Sequence, residues 1–301
     1  SYGRFIESAR SAGIEILGRN DSLRALRLRV ENLDETNRIR GLTGDDATYD
    51  YNYLISAPLI PQPSSKTGPG VPFLDGALHW LGVPEDNDDW GQGITIALLD
   101  TGVSSHRALD SSSISQIDLI ADDNTEGSEY QGHGTAIASL LVGDAGIGIA
   151  PSAELLSIQV MDSDGLGDSF TLAEGILQAV DSGAKIISMS LGSYGYTSVL
   201  KNAVDYAVAN DLILVASAGN DSMNATPYPA RFDDVIGVAA IDAENQRAEF
   251  SNYSPSIDIA APGMEVLAAW GEEAWIRFSG TSAAVPFVAG GIAATMSLYK
   301  Q

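Results

Sequence analysis

From Gly91 onward the chain alternates short apolar runs with segments of helical periodicity, and no other feature restricts its fold so strongly. The runs ITIALLD (94–100), AELLSIQV (153–160), KIISMSL (185–191) and DLILVAS (211–217) lack the in-and-out alternation of a half-exposed strand. They read as strands buried on both faces. Between them, TAIASLLV, FTLAEGILQAVDSG and SVLKNAVDYAVAN place apolar residues at helical spacing. Strands of this kind need helices above and below, which predicts an α/β body with a parallel β-sheet flanked by helices. Ligands of such folds bind beyond the carboxyl ends of the strands, where Asp100 and the segment leading to Asn220 both stand.

Residues 1–58 have a different character and carry eight of the sixteen basic residues. GRFIESARSA and ETNRIRGL are helix-like, GIEILGR and LRALRLRV read as strands around the turn Asn20-Asp21-Ser22, and YDYNYLIS is a final strand. The run PLIPQPSSKTGPGVP (58–72) marks a boundary. The division is therefore a small α+β unit (1–58), a linker and tail (59–75) and the main body (76–301).

A net charge of −24 argues against nucleic acid as a partner, because phosphate binding needs a basic face. The acidic runs Glu85 to Asp89 and Asp122 to Glu129 read as solvated loops. With no cysteine, disulfides and thiolate chemistry are excluded. No run of eighteen apolar residues and no charged-then-apolar leader is seen, so neither a membrane span nor a retained signal peptide is expected.

Three separated segments carry the chemistry. Ser282 stands at the head of a small-residue helix, AAVPFVAGGIAATMSLY; His133 lies in GHGT at a helix start; Asp100 ends the strand of LLDTG. A serine hydroxyl attacks an amide only when an imidazole takes its proton and a carboxylate holds that imidazole's tautomer. The chain order of acid, base and nucleophile differs from that of chymotrypsin-like enzymes and of nucleophile-elbow hydrolases. Of the other two histidines, His79 in LDGALHWLG and His106 after DTG read as packing or surface residues.

The wording around these residues, FSGTSAAVP, QGHGTAIAS, ALLDTGV and VASAGN, resembles the signatures of the subtilisin-like serine proteases, or subtilases. The resemblance runs almost without break from Gly93 to Gln301. It implies a serine endopeptidase acting on polypeptides, with Asp100, His133 and Ser282 as triad and Asn220 as side-chain donor of the oxyanion hole. It further implies that Ser190, Leu191 and Gly192 face Ser217, Ala218 and Gly219 as the two walls of the S1 pocket, while Gly165, Leu166 and Gly167 offer a strand edge to substrate. None of these wall residues is charged, so broad apolar preference at P1 is expected. The first 58 residues resemble the family's ferredoxin-like propeptide lacking its first strand. By that resemblance they form an intramolecular inhibitor whose tail, Ser56-Ala57-Pro58-Leu59, lies in the cleft and is cut after Leu59. Secretion or an extracytoplasmic site would follow.

Departures from the family pattern bear on metal and pocket. The loop VGDAGIGIAP is several residues shorter than the family's calcium loop, and Ala108 stands where a ligand Asp is usual. No metal site and no required cofactor are expected, weak calcium binding aside. Asp162, Asp164 and Asp168 have calcium-like spacing but lack the bidentate Glu of an EF-hand and read as a turn. Pro227 aligns near a glycine at the S1 base, and Ala136 replaces a His after GHGT. Relatives usually continue beyond the Ser282 helix, where this sequence stops at Gln301. The competing reading is a catalytically silent subtilase-fold binding or inhibitory module; a nucleotide-binding domain is disfavoured because GDAGIGIAP lacks the required glycine spacing.

Overall fold

The computed structural model describes residues 2–43, 47–59, 70–120, 130–144 and 146–299. The acidic run from Asp122 to Glu129, most of the linker and Gln301 lie outside the described residues.

Seven parallel strands form the central sheet: β4 (Thr95–Asp100), β5 (Ile114–Asp118), β6 (Glu154–Gln159), β8 (Ile186–Met189), β9 (Ile213–Ser217), β10 (Val235–Ile241) and β11 (Ile259–Pro262). Their spatial order is β11-β10-β9-β8-β4-β6-β5. The four apolar runs are β4, β6, β8 and β9, the middle of the sheet. Successive residues of β4 feed opposite cores, as a strand buried on both faces must. Leu98 packs with Ile137, Leu141 and Val285 on the side of helices α4 (His133–Val142) and α7 (Thr281–Leu298). Ala97 and Leu99 pack with Leu172, Ile176 and Val204 on the side of α5 (Ser169–Asp181) and α6 (Ser198–Ala209). Short α3 (Ala77–Trp80) and the antiparallel hairpin β12 (Val266–Trp270) and β13 (Ala274–Phe278) complete the body.

Helix α7 is an apolar run that the sequence reading passed over. Its 18 residues have a mean hydropathy of 1.4, long and apolar enough to cross a membrane, yet 67% of it is buried inside the body. Small residues let it pack at close range: a Cβ added at Gly290 would lie 2.1 Å from Ile149, in the segment between α4 and β6. Pro286, the helix's sixth residue, cannot donate to the Ser282 carbonyl one turn back, and Ser190 Oγ donates to that carbonyl instead, at 3.2 Å.

The N-terminal unit has α1 (Tyr2–Ser11), the hairpin β1 (Ile16–Asn20) and β2 (Ala25–Leu28), and α2 (Leu33–Thr43), around a small core of Ala9, Ile14 and Ile39. Its expected third strand does not join that hairpin. Only Leu54–Ser56 (β3) is extended, and it pairs antiparallel with β7 (Leu166–Asp168) of the main body. The strand finds its backbone partners on the body's rim.

Leu98 is fully buried at the centre of the first core. Replacing it with Ala should cost about 2–5 kcal/mol of unfolding free energy, measurable as a lower urea midpoint at unchanged slope.

Candidate active site

Asp100 ends β4 and His133 opens α4, so the sheet delivers the carboxylate and a helix start delivers the imidazole. His133 Nδ1 lies 2.7 Å from Asp100 Oδ1, with both side chains fully buried. The same oxygen accepts from the Thr101 amide at 2.8 Å, and Thr101 Oγ1 accepts from Gly134 N at 3.1 Å and donates to the Tyr130 carbonyl at 3.3 Å. Carboxylate and helix start are thus tied by three independent bonds. Phe278 meets the imidazole edge-on at 5.5 Å, and the Tyr130 ring stands 6.0 Å away. These rings hold the base in one plane.

Ser282 is the second residue of α7, after Gly280 at φ 144°, a conformation open to glycine. Its Oγ and His133 Nε2 are both buried without a hydrogen-bond partner. The Ser282 hydroxyl and the imidazole have therefore not closed on each other.

Asn220 faces the same point. Its Oδ1 accepts from both Thr281 N and Thr281 Oγ1 at 2.9 Å, which fixes the amide so that Nδ2 turns into the cleft. There Nδ2 donates to the carbonyl of Leu59 at 2.9 Å. Thr281, with no place in the sequence reading, is what orients the donor; its signal was the hydroxyl next to Ser282.

The chain leading to Leu59 is held through its backbone on both sides. Ile55 pairs with Gly167 and Ser56 with Leu166; Ser56 and Gly192 exchange N–H···O bonds at 3.1 and 3.0 Å; Ala57 N donates to the Gly165 carbonyl at 2.9 Å. Gly165, Leu166 and Gly167 form one edge and Gly192 the other. Ser190 Oγ donates to the Ser282 carbonyl at 3.2 Å, joining that wall to the nucleophile's helix. Opposite, Ser217 ends β9, and Ala218 and Gly219 continue towards Asn220. Pro227 stands between the walls: a Cβ on Gly192 would lie 2.9 Å from it, and one on Gly219 3.5 Å. Ile55 is fully buried, whereas the Leu59 side chain is 71% exposed, so its carbonyl is seated while its side chain fills no pocket.

The upstream segment also touches the body. Asn52 Oδ1 accepts from Phe170 N at 3.0 Å at the start of α5, and Asp50 Oδ2 accepts from Ser198 N at 2.7 Å at the start of α6. Arg27 pairs with Asp168 at 2.6 Å and lies over the Phe170 ring.

The carboxylates with calcium-like spacing are engaged by the protein itself. Asp162 Oδ1 accepts from the amides of Asp164 and Leu166, and Asp168 caps α5 through Phe170 and Thr171. In the short loop after α4, Asp144 accepts from Ser111 N at 3.0 Å and from its hydroxyl, while Asp144 N donates to the carbonyl of Ala108 at 2.8 Å. This loop does not fit a metal ion, because its carboxylate is spent on closing it. Among the described residues no group of three or more His, Asp or Glu side chains is arranged to hold one. Ala136 is buried in α4, His79 is exposed, and His106 is a packing residue, with Nδ1 accepting from Ala108 N and Nε2 3.2 Å from the Ala274 carbonyl.

Comparison with known proteins matches residues 91–301 to the subtilase family. The thermostable alkaline protease of Halalkalibacterium halodurans is 40% identical over 214 residues, covering 70% of this chain and 58% of that protein. Thermitase of Thermoactinomyces vulgaris is 38% identical over 206 residues, 66% of this chain and 74% of its own. Among solved structures, the prenylagaramide maturation protease PagA superposes with a TM-score of 0.65 at 30% identity, over 75% of this chain and 81% of that one.

Gly134 tests how closely acid and base must approach. A Cβ there would lie 2.1 Å from the Gly102 carbonyl oxygen and 3.3 Å from Asp100 Oδ1. Gly134→Ala should drive α4 off the end of β4 and slow labelling of Ser282 by a fluorophosphonate about 100-fold, with the far-UV circular dichroism preserved.

Proposed function

We propose, from the premise that this chain belongs to the subtilase family, that it is a serine endopeptidase held in check by its own first 58 residues. The observation carrying this reading is the Leu59 carbonyl on Asn220 Nδ2, beside the buried Asp100–His133 pair. A carbonyl in that position is where negative charge develops when Ser282 attacks.

In the proposed reaction His133 Nε2 takes the Ser282 hydroxyl proton as Oγ bonds to the carbonyl carbon. The carbonyl electrons move onto oxygen, where Asn220 Nδ2 and the Ser282 backbone N–H receive them. Asp100 stabilises the imidazolium, which then protonates the leaving amine as the peptide bond breaks. Water, deprotonated by His133, cleaves the resulting ester and returns the serine. No metal or other cofactor is needed for these steps. The substrates are polypeptides laid against Gly165–Gly167 and Gly192 by main-chain bonds, so selection along the chain is loose. Uncharged walls at Ser190–Gly192 and Ser217–Gly219 favour an apolar P1 residue, with Pro227 limiting how deep it reaches. An extracytoplasmic setting suits such an activity.

The N-terminal unit acts as the inhibitor in this reading, because its β3 uses the same strand edges that a substrate would. Cleavage after Leu59 follows from the position of its carbonyl. A second reading, a catalytically silent module, draws on the unclosed Ser282–His133 contact; fluorophosphonate labelling of Ser282 in processed material separates the two.

Mass and N-terminal sequencing of the purified chain test self-cleavage. The native protein should yield a body beginning at Ile60, and Ser282→Ala should remain whole. An intact native chain would overturn self-processing, and a body beginning at Leu59 would move the scissile bond by one residue. Arg27→Ala removes the ion pair to Asp168. It should shorten the lag before peptidase activity emerges in a progress curve, without changing the final rate.

A further inference from the structure

The donor Asn220 sits in a loop that its own sequence does not stabilise. Gly219 has φ +94° and Ser222 φ +55°, so two residues within three positions of each other occupy the left-handed region, and Ser222 does so with a side chain. A non-glycine residue in that region costs about 1–3 kcal/mol and persists only where its surroundings over-determine it. For Ser222 those surroundings are one segment, residues 249–253. Ser222 N donates to the Phe250 carbonyl at 2.8 Å, Ser222 Oγ donates to the Glu249 carbonyl at 2.7 Å, and Tyr253 N donates to the Met223 carbonyl at 2.9 Å.

At the centre of this clasp is Asn252, which is fully buried. Its Oδ1 accepts from both Asp221 N and Met223 N at 3.0 Å. Its Nδ2 donates to the Ala218 carbonyl at 2.9 Å and to Tyr194 Oη at 2.8 Å, and its backbone N–H donates to the Gly219 carbonyl at 2.9 Å. A carboxamide has two donor hydrogens and an acceptor oxygen that takes two bonds, and all are used here. The partners lie on both sides of Asn220 in the chain. A Cβ on Gly219 would lie 2.4 Å from Asn252 Nδ2, so loop and clasp are matched at contact distance. Tyr194 extends the clasp to the opposite wall: it continues the Ser190–Gly192 segment and its hydroxyl donates to Asp221 Oδ2 at 2.6 Å. Burial, followed by the bond to Asp221, pushes the Tyr194 phenol up to about 12, so this donor survives into strongly alkaline solution.

We propose that Asn252, assisted by Tyr194, is a positioning residue for the oxyanion hole: it holds loop 218–223 in the strained form that aims Asn220 Nδ2 at the carbonyl under attack. Asn252 touches no substrate and acts only through Asn220. The proposal deepens the peptidase reading and rests on it.

The test is a cycle of Asn252→Ala and Asn220→Ala, singly and together, in the full chain, with turnover of an apolar-P1 peptide anilide and amide hydrogen exchange measured in parallel. Asn252→Ala should lower kcat about 10- to 100-fold at nearly unchanged KM, while exchange at Asp221 and Met223 speeds up. Asn220→Ala should lower kcat about 100- to 1,000-fold, the loss recorded for such a donor in a related subtilase. Adding Asn252→Ala to it should then cost less than about twofold, because residues acting as one unit are not additive. Unchanged kcat in Asn252→Ala, or the same fractional loss repeated without Asn220, would overturn the proposal. So would unchanged exchange at Asp221 and Met223. If Asn252→Ala does not fold, Tyr194→Phe provides the same cycle from the exposed rim, with a several-fold loss that vanishes in the Asn220→Ala background. A native chain with no turnover at all would defeat the peptidase reading, and the exchange data would still decide whether Asn252 holds the loop.

Discussion

The hydrogen bond from His133 to Asp100 is the constraint around which the rest of the body is arranged. A carboxylate with no exposure to water is tolerable only when donors meet it; here the Thr101 amide and an imidazole N–H both reach Oδ1, while the buried Oδ2 has no hydrogen-bond partner among the described residues. The bond joins residues 33 apart in sequence, so it exists only if β4 ends and α4 begins at the same place. Pairing of β4 with β6 and β8 on either side fixes the first, down to Asp100 opposite Gln159. Thr101, bonded to both Tyr130 and Gly134, fixes the second. Glycine at 134 is required because the turn after Asp100 passes against its α-carbon.

A second constraint is main-chain recognition along the cleft. β3 is held between Leu166–Asp168 and Gly192 by amide and carbonyl groups that any extended peptide carries. Side-chain selection enters chiefly where Ile55 is buried and Leu59 is not. The bonds that seat the N-terminal segment here are therefore independent of its side chains. What sets the N-terminal segment apart lies upstream, in Arg27, Asp50 and Asn52 on the starts of α5 and α6.

Much of this was legible in the sequence, and the reasons for the gaps are physical. The four interior strands stood out because burial on both faces removes alternation. β5, with Gln116 among its five residues, and β11, built of Ile-Ala-Ala-Pro, carry too little apolar signal to stand out. Asp100, His133, Ser282 and Asn220 stood out because their neighbours are small and distinctive. Thr281 and Asn252 were not, since a threonine before a serine and an asparagine in a polar loop have dozens of local explanations. Their meaning comes from contacts 61 and 34 positions away. The third strand of the N-terminal unit was read as part of that unit because its partner, β7, is a three-residue strand more than a hundred positions distant.

The short loop after α4 carries a further consequence. Asp144 closes it onto Ser111 and Ala108 with bonds internal to the polypeptide. A loop closed by a bound ion has a stability that rises and falls with the activity of that ion in the medium. Here the bonds that close the loop run between groups of the chain itself, so their contribution to folding is set by Ser111, Ala108 and Asp144.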